Sequence, residues 1–211
     1  MRWTPRRSPL DQAGIGDAGG MNIYVVENAK RMAAMGVAVD IFTHRNHPDL
    51  PETVQLAPSV IVKYLNAGPV KGVTKEELPN YIDELADSFT KEIQGRTAYD
   101  VIHSHYWISG KVGVPASQRL NIPLVHTMHT MAKVKNLNLA KGENPEPELR
   151  VQGETEVVAA SRALIANTDA EAASLVSLYG ACPDIVNVVT PGVDLYTFTP
   201  GNGRASARGQ N

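Results

Sequence analysis

Short apolar runs that recur between helical stretches constrain this chain more than any other feature. Runs at residues 37–43, 60–65, 100–105, 122–127, 163–168 and 185–190 are rich in Val, Ile and Leu and too short for core helices. Between them lie stretches with helical periodicity, at residues 21–35, from Thr74 onward, around 110–120, 146–161 and 169–179. Strand and helix in alternation predict a parallel sheet covered on both faces, an α/β doubly wound domain. In such sheets ligands bind beyond the carboxyl ends of the strands. Polar residues gather at those ends: His103 and His105, His126 to Thr130, Asn167 and Thr168, and Thr190 to Asp194.

Local signals agree with this layout. Met21, Tyr24, Val25, Ala29, Met32 and Ala33 share one helical face, and Gly36 stands where a helix is expected to stop. Thr74 with Glu77 is a capping box, predicting a helix with Leu78, Ile82, Leu85, Phe89 and Ile93 on its buried face.

The composition closes off other classes. With 20 basic against 22 acidic side chains the net charge is −2, which gives no electrostatic case for nucleic acid. Cys182 stands alone, so neither an internal disulfide nor a cysteine zinc cluster can form. No apolar run approaches the roughly 18 residues of a membrane span. Residues 1–7 are basic with no apolar stretch behind them, unlike a signal peptide, so the expected location is cytoplasmic. The pattern-free residues 201–211 are expected to be disordered.

Several groups could carry chemistry. The glycine-rich loop Gly14-Ile15-Gly16-Asp17-Ala18-Gly19-Gly20 runs into a helix start, where backbone N–H groups favour an anion or a cluster of hydroxyls. Its spacing is neither G-x-G-x-x-G nor a Walker loop, so a plain glycine turn is the competing account. Lys75, Lys133, Lys135 and Arg150 are candidate anion holders, although for each taken alone a solvated surface charge is the favoured account. Lys75 opposes the dipole at its expected helix start, a mild cost that a nearby anion would offset. Tyr106 and Trp107 could stack on a sugar or bury beneath the next helix. His103, His105, His126 and His129 could form a metal site, or bond backbone and substrate as polar strand ends. No Gly-x-Ser-x-Gly elbow supports a serine hydrolase.

Several of these strings together carry a resemblance. Ser8-Pro9-Leu10 with Gly16-Asp17-Ala18-Gly19-Gly20-Met21-Asn22 resembles the opening loop of retaining GT-B glycosyltransferases, a group that includes sucrose-phosphate synthase. The strings from His103 to Gly110, from His126 to Asn136 and from Thr74 to Pro79 are most similar to the D-inositol-3-phosphate glycosyltransferase family of mycothiol biosynthesis. Thr190-Pro191-Gly192-Val193-Asp194 with Phe198-Thr199-Pro200 resembles that family's exit from its N-terminal domain.

The resemblance implies a Rossmann-like N-terminal, acceptor-binding lobe over residues 8–200. It implies a hexosyltransferase that moves N-acetylglucosamine from UDP-N-acetylglucosamine to 1D-myo-inositol 3-phosphate with retention. Asp17, Ala18, Gly19, Gly20, Met21 and Asn22 would then line the inositol phosphate, and Lys75, Tyr106, Thr130 and Arg150 would hold its phosphate. Gln12, Ala13 and Gly20 would face the donor, with His129 as the catalytic contact near the transferred sugar. No cofactor bound by this chain is implied, while magnesium with the donor in the intact enzyme and a homodimer stay open.

The departures from the family set further expectations. The family opens with an apolar strand ending in histidine, whereas residues 1–7 are short and basic, with Arg6 in the histidine's place. Its Gln-Pro is Gln12-Ala13 here. Loss of a central first strand is expected to leave neighbouring strand edges unpaired. Nothing after Pro200 resembles the nucleotide-binding second domain, so the chain alone is expected to be a fragment with little activity. The alternatives are another sugar-phosphate acceptor such as fructose 6-phosphate, a non-catalytic fragment, or a histidine-based metalloenzyme.

Overall fold

The structure, a computed structural model, describes residues 19–70, 73–74, 76–95 and 99–195. Helix α1 (Gly20–Ala34) opens the described chain, and Gly36 ends it as expected. Gly36 adopts φ +90°, its N–H bonds Ala33 O at 3.0 Å, and Val37 N–H reaches Met32 O at 3.1 Å. This paired closure needs a residue that tolerates the left-handed region.

Three strands follow: β1 (Val39–His44), β2 (Thr53–Ala57) and β3 (Val60–Leu65). The sequence reading missed β2, whose alternation of Val54 and Leu56 with Thr53 and Gln55 is a short edge-strand pattern. It pairs antiparallel with β3 across a tight turn, in which Ser59 sits at φ +59°.

The capping box at Thr74 forms, with Thr74 N–H donating to Glu77 Oε2 at 2.9 Å and Glu77 N–H to Thr74 Oγ1 at 3.3 Å. It does not open the α-helix expected there. Pro79 has no N–H with which to continue the ladder. The chain therefore passes through a 3-10 turn (Leu78–Tyr81) before α2 (Ile82–Gln94) begins.

The remainder alternates as expected: β4 (Ile102–His105), α3 (Trp107–Leu120), β5 (Leu124–Thr127), α4 (Ala132–Leu137), α5 (Glu148–Ala160), β6 (Ala163–Ala166), α6 (Asp169–Tyr179) and β7 (Val186–Val188). The short helix α4 was not foreseen.

Among the described residues the strands form two sheets. Their orders are β1-β3-β2 and β4-β5-β6-β7. β1 and β4 are end strands, and among the described residues no strand joins them. Among the described residues β1 and β4 each keep one edge without a strand partner, and both edges face this interruption.

Helix α2 bridges it. Leu85, Phe89 and Ile93, the face expected to be buried, pack with Leu65 from β3, Ile102 from β4, Val112 and Ala116 from α3 and Leu124 from β5. Phe42 of β1 meets Phe89 edge to face at 5.0 Å. Beside them, buried Lys63 is ion-paired with Asp40, and Tyr99 OH donates to Asp40 Oδ2 at 2.5 Å. Helix α1 covers the other face of the first sheet through Ala29, Ile41, Val60 and Val62.

If α2 is the tie between the sheets, Phe89→Ala should destabilise the chain by about 3–5 kcal/mol, the usual cost of emptying a buried aromatic site. Urea unfolding measures this, and a loss below about 1 kcal/mol would assign the tie elsewhere.

Candidate functional site

The site grows from two strand ends. β4 ends at His105, and Tyr106 turns out of it at φ +71° to cap α3. Tyr106 N–H still donates to Thr127 O at 3.0 Å, so the two strand ends stay in register. Ser109 Oγ accepts the His105 N–H at 2.8 Å and donates to Tyr106 O at 3.0 Å, which staples the turn. β5 ends at Thr127, and His129 at φ +62° redirects the chain so that Thr130 is exposed before α4 begins.

Tyr106 and Trp107 have different fates. Trp107 is buried, and a Cβ on Gly153 would sit 2.8 Å from its ring, so only glycine lets α5 pass this close to α3. Tyr106 remains half-buried, with the Arg150 guanidinium 5.1 Å from its ring centroid.

Arg150 is the centre of the site. Its Nη2 donates to Thr130 Oγ1 at 3.0 Å, its Nε to Glu154 Oε1 at 2.7 Å and its Nη1 to Glu146 Oε2 at 2.8 Å. Burial works against the charge, but Glu154, with Tyr106 and Glu146, outweighs it and holds the guanidinium pKa above its ordinary value. Three of the four expected phosphate holders, Tyr106, Thr130 and Arg150, therefore form one cluster. Lys75, the fourth, lies outside the described residues.

A buried support lies behind Arg150. Glu154 is fully buried, and its Oε2 accepts Ala132 N–H at 2.8 Å at the start of α4. The Tyr179 hydroxyl donates to the same oxygen and accepts Lys133 N–H at 3.0 Å. Lys133, one of the candidate anion holders, bonds Leu178 O at 2.8 Å and so ties α4 to α6. Sequence reasoning missed Glu146, Glu154 and Tyr179. The signal was there for the two acids, which stand four residues either side of Arg150 at ion-pair spacing.

Three of the histidines lie together, with the His103 and His105 ring centroids 4.2 Å apart and those of His105 and His129 5.3 Å apart. His103 Nε2 meets Thr127 Oγ1 at 2.9 Å, and His105 Nδ1 meets His129 Nε2 at 3.0 Å. His126 Nδ1 meets Ser104 Oγ at 2.7 Å. Among the described residues no three metal-ligating groups are placed to hold one ion, so the metal reading gains no support from the geometry. Burial, with neighbouring histidine charge, lowers His103 to about 4, His105 to about 2 and His126 to about 3. Burial also lowers His129. The rings are neutral at physiological pH and act as hydrogen-bonding groups.

Gly19, Gly20, Met21 and Asn22 form the first turn of α1, with Asn22 N–H bonding Gly19 O at 3.1 Å. Tyr24, just beyond, packs its ring edge-on against His129 at 5.1 Å and His105 at 5.9 Å. This contact brings the start of α1 to the ends of β4 and β5. Gln12, Ala13, Asp17 and Ala18 lie outside the described residues. Thr168, another polar strand end, is used structurally: its Oγ1 accepts Glu171 N–H at 3.1 Å and caps α6. Cys182 is exposed.

A Rossmann-like half with a guanidinium corner beyond its strand ends has the architecture of a GT-B N-terminal lobe. The comparisons with known proteins agree and are more specific. The chain belongs to glycosyltransferase family 4, whose model matches residues 18–196. It is 53% identical over 207 residues to the D-inositol 3-phosphate glycosyltransferase of Streptomyces bingchenggensis, covering 95% of this chain and 45% of that protein. Against the enzyme of the same name from Kribbella flavida it is 54% identical over 203 residues, covering 95% and 48%. The chain thus spans about half the length of the curated relatives it matches. Among solved structures, sucrose-phosphate synthase from Thermosynechococcus elongatus superposes with a TM-score of 0.83 at 28% identity, covering 91% of this chain and 47% of that one. Among the described residues no helix is long and apolar enough to cross a membrane.

The neutral histidines predict a pH response. A histidine held neutral in the fold binds fewer protons below pH 6.5 than the unfolded chain does. Stability should therefore be full above that pH and decline as pH falls towards the folded values. Urea unfolding between about pH 7 and pH 5 should show a slope of up to about 1.4 kcal/mol per pH unit for each such ring. A flat profile would mean that the rings are solvated.

Proposed function

We propose that this chain forms the acceptor-side lobe of a retaining glycosyltransferase acting on UDP-N-acetylglucosamine and 1D-myo-inositol 3-phosphate. The observation that carries the proposal is the Tyr106–Thr130–Arg150 corner: a guanidinium, a hydroxyl and an aromatic face assembled where an anionic acceptor would dock. The names of the relatives, at 53% and 54% identity, point to the same acceptor.

The chemistry asked of this lobe is positioning. A phosphate held by Arg150 and Thr130 fixes one end of the acceptor, so that one ring hydroxyl is presented to the anomeric carbon. The N-terminal turn of α1, Gly19 to Asn22, offers backbone donors to the acceptor's hydroxyls. His129, oriented by His105, would meet the donor sugar as a neutral hydrogen-bonding group. The same reading places the protein in the cytoplasm, with magnesium arriving on the donor diphosphate where it is used.

A second acceptor class has one observation in its favour, the TM-score of 0.83 to sucrose-phosphate synthase. A calorimetric titration with inositol 3-phosphate and fructose 6-phosphate separates the two. The proposal expects the inositol phosphate to bind more tightly, and the reverse order would favour the second class. Arg150→Lys should weaken inositol 3-phosphate by about 2 kcal/mol, roughly thirtyfold, because an ammonium cannot reproduce the guanidinium fork. Thr130→Val, at an exposed position, should weaken it without a fall in thermal stability. Unchanged affinity in both variants would remove the corner from the acceptor site.

A further inference from the structure

Arg150 has a carboxylate partner that its buried role does not require. Glu154 already balances the guanidinium from within, on Nε. Glu146 adds a second negative charge from the solvent side, on Nη1. Its other oxygen, Oε1, accepts from Lys135 Nζ at 2.7 Å. One carboxylate thus divides its two oxygens between a cation on α5 and a cation on α4, as the oxygens of a bound phosphate would. The Lys135 hydrogen bond is the largest cause of a lowered Glu146 pKa, with the Arg150 charge assisting, so the side chain is ionised at neutral pH.

The two carboxylates differ in their freedom to move. Glu154 is fully buried and bound on both oxygens by three elements of the fold. Glu146 is partly exposed and precedes α5. Its backbone N–H is clamped by Asn136 Oδ1 at 2.8 Å, so the side chain can leave by changing rotamer while the loop stays in place.

We propose that Glu146 is a built-in stand-in for the anionic ligand, occupying Arg150 and Lys135 in the free chain and displaced when a phosphate monoester binds. This rests on the reading of Arg150 as the anion holder. Glu146 then acts as a specificity-determining residue. Arg150, Lys135, Glu146 and Glu154 sum to zero charge, so an incoming anion must compete with a carboxylate already in place. A phosphate dianion, with more charge and a third oxygen, outcompetes it, whereas a simple carboxylate has no such advantage.

The test is calorimetric titration of inorganic phosphate and inositol 3-phosphate into the wild-type chain, Glu146→Gln, Glu148→Gln and Arg150→Lys, with acetate as the competing carboxylate. Glu148 is exposed at the start of α5 and bonds Gln152, so its variant controls for a simple change in net charge. Glu146→Gln should bind phosphate about tenfold more tightly, and acetate should gain at least as much. Glu148→Gln should leave both unchanged. A gain of affinity cannot come from a damaged fold, which keeps the test decisive. Equal or weaker binding by Glu146→Gln, or an equal gain in Glu148→Gln, overturns the inference. If Arg150→Lys weakens phosphate while Glu146→Gln changes nothing, Arg150 keeps its role and only the stand-in falls. If Arg150→Lys changes nothing, the anion-holder reading falls and takes the stand-in with it.

Discussion

A carboxylate without solvent exposure must find all its compensation inside the protein, and the site depends on how Glu154 does so. Its partners are Arg150 on its own helix, the first N–H of α4 and the Tyr179 hydroxyl of α6. Burial of such a charge costs several kcal/mol unless it is paired and hydrogen-bonded, so the arrangement tolerates little variation. Holding Arg150 fixes the guanidinium under Tyr106 and beside Thr130. Holding Ala132 N–H fixes the start of α4, and with it the path of the Thr127–Thr130 segment. Tyr179 gains from the same contact, since burial and then Glu154 push its phenol pKa up and keep the hydroxyl a donor. One buried acid thus orders three helices around the corner where a ligand would bind.

The strand order explains why the corner lies where it does. In doubly wound sheets ligands collect where the order reverses, with a central strand between the two halves. Here the halves are β1-β3-β2 and β4-β5-β6-β7, and the interruption falls at that reversal. Backbone pairing does not cross it among the described residues, so side-chain packing must. Phe42, Phe89 and Ile102 provide that packing on the α2 face. Tyr24 provides it on the α1 face, against His105 and His129.

Much of this was legible in the sequence, for reasons that differ by element. The buried face of α2 from Ile82 to Ile93 and the stop at Gly36 follow from local periodicity and backbone chemistry, and both appear as expected. The start of α2 did not follow, because Pro79 overrode a capping signal that is itself formed. β2 was missed because a five-residue edge strand buries too little to leave a strong pattern. In the site, Arg150, Thr130 and Tyr106 were named before their proximity was known. Lys133 resembled Arg150 in charge but serves the helix packing. Glu154 stood at ion-pair spacing from Arg150, but spacing alone does not reveal that it is completely buried, which is where its value lies.

The two halves of the proposed ligand site rest on different parts of the fold. Arg150, Thr130, Tyr106 and Glu154 are all anchored on β4, β5 and the helices that cover them. Their geometry requires nothing from β1 or β3. The first turn of α1, by contrast, is carried by the β1-β3-β2 half and reaches the strand ends of the other half through Tyr24. The phosphate corner is therefore set by buried polar pairing within one half. The α1 backbone donors are set by apolar packing between halves, which is non-directional and tolerates small shifts. A ligand that bound only at the corner would feel a rigid site. For one that also engaged α1, binding would depend on the α2 packing as much as on any residue it touches.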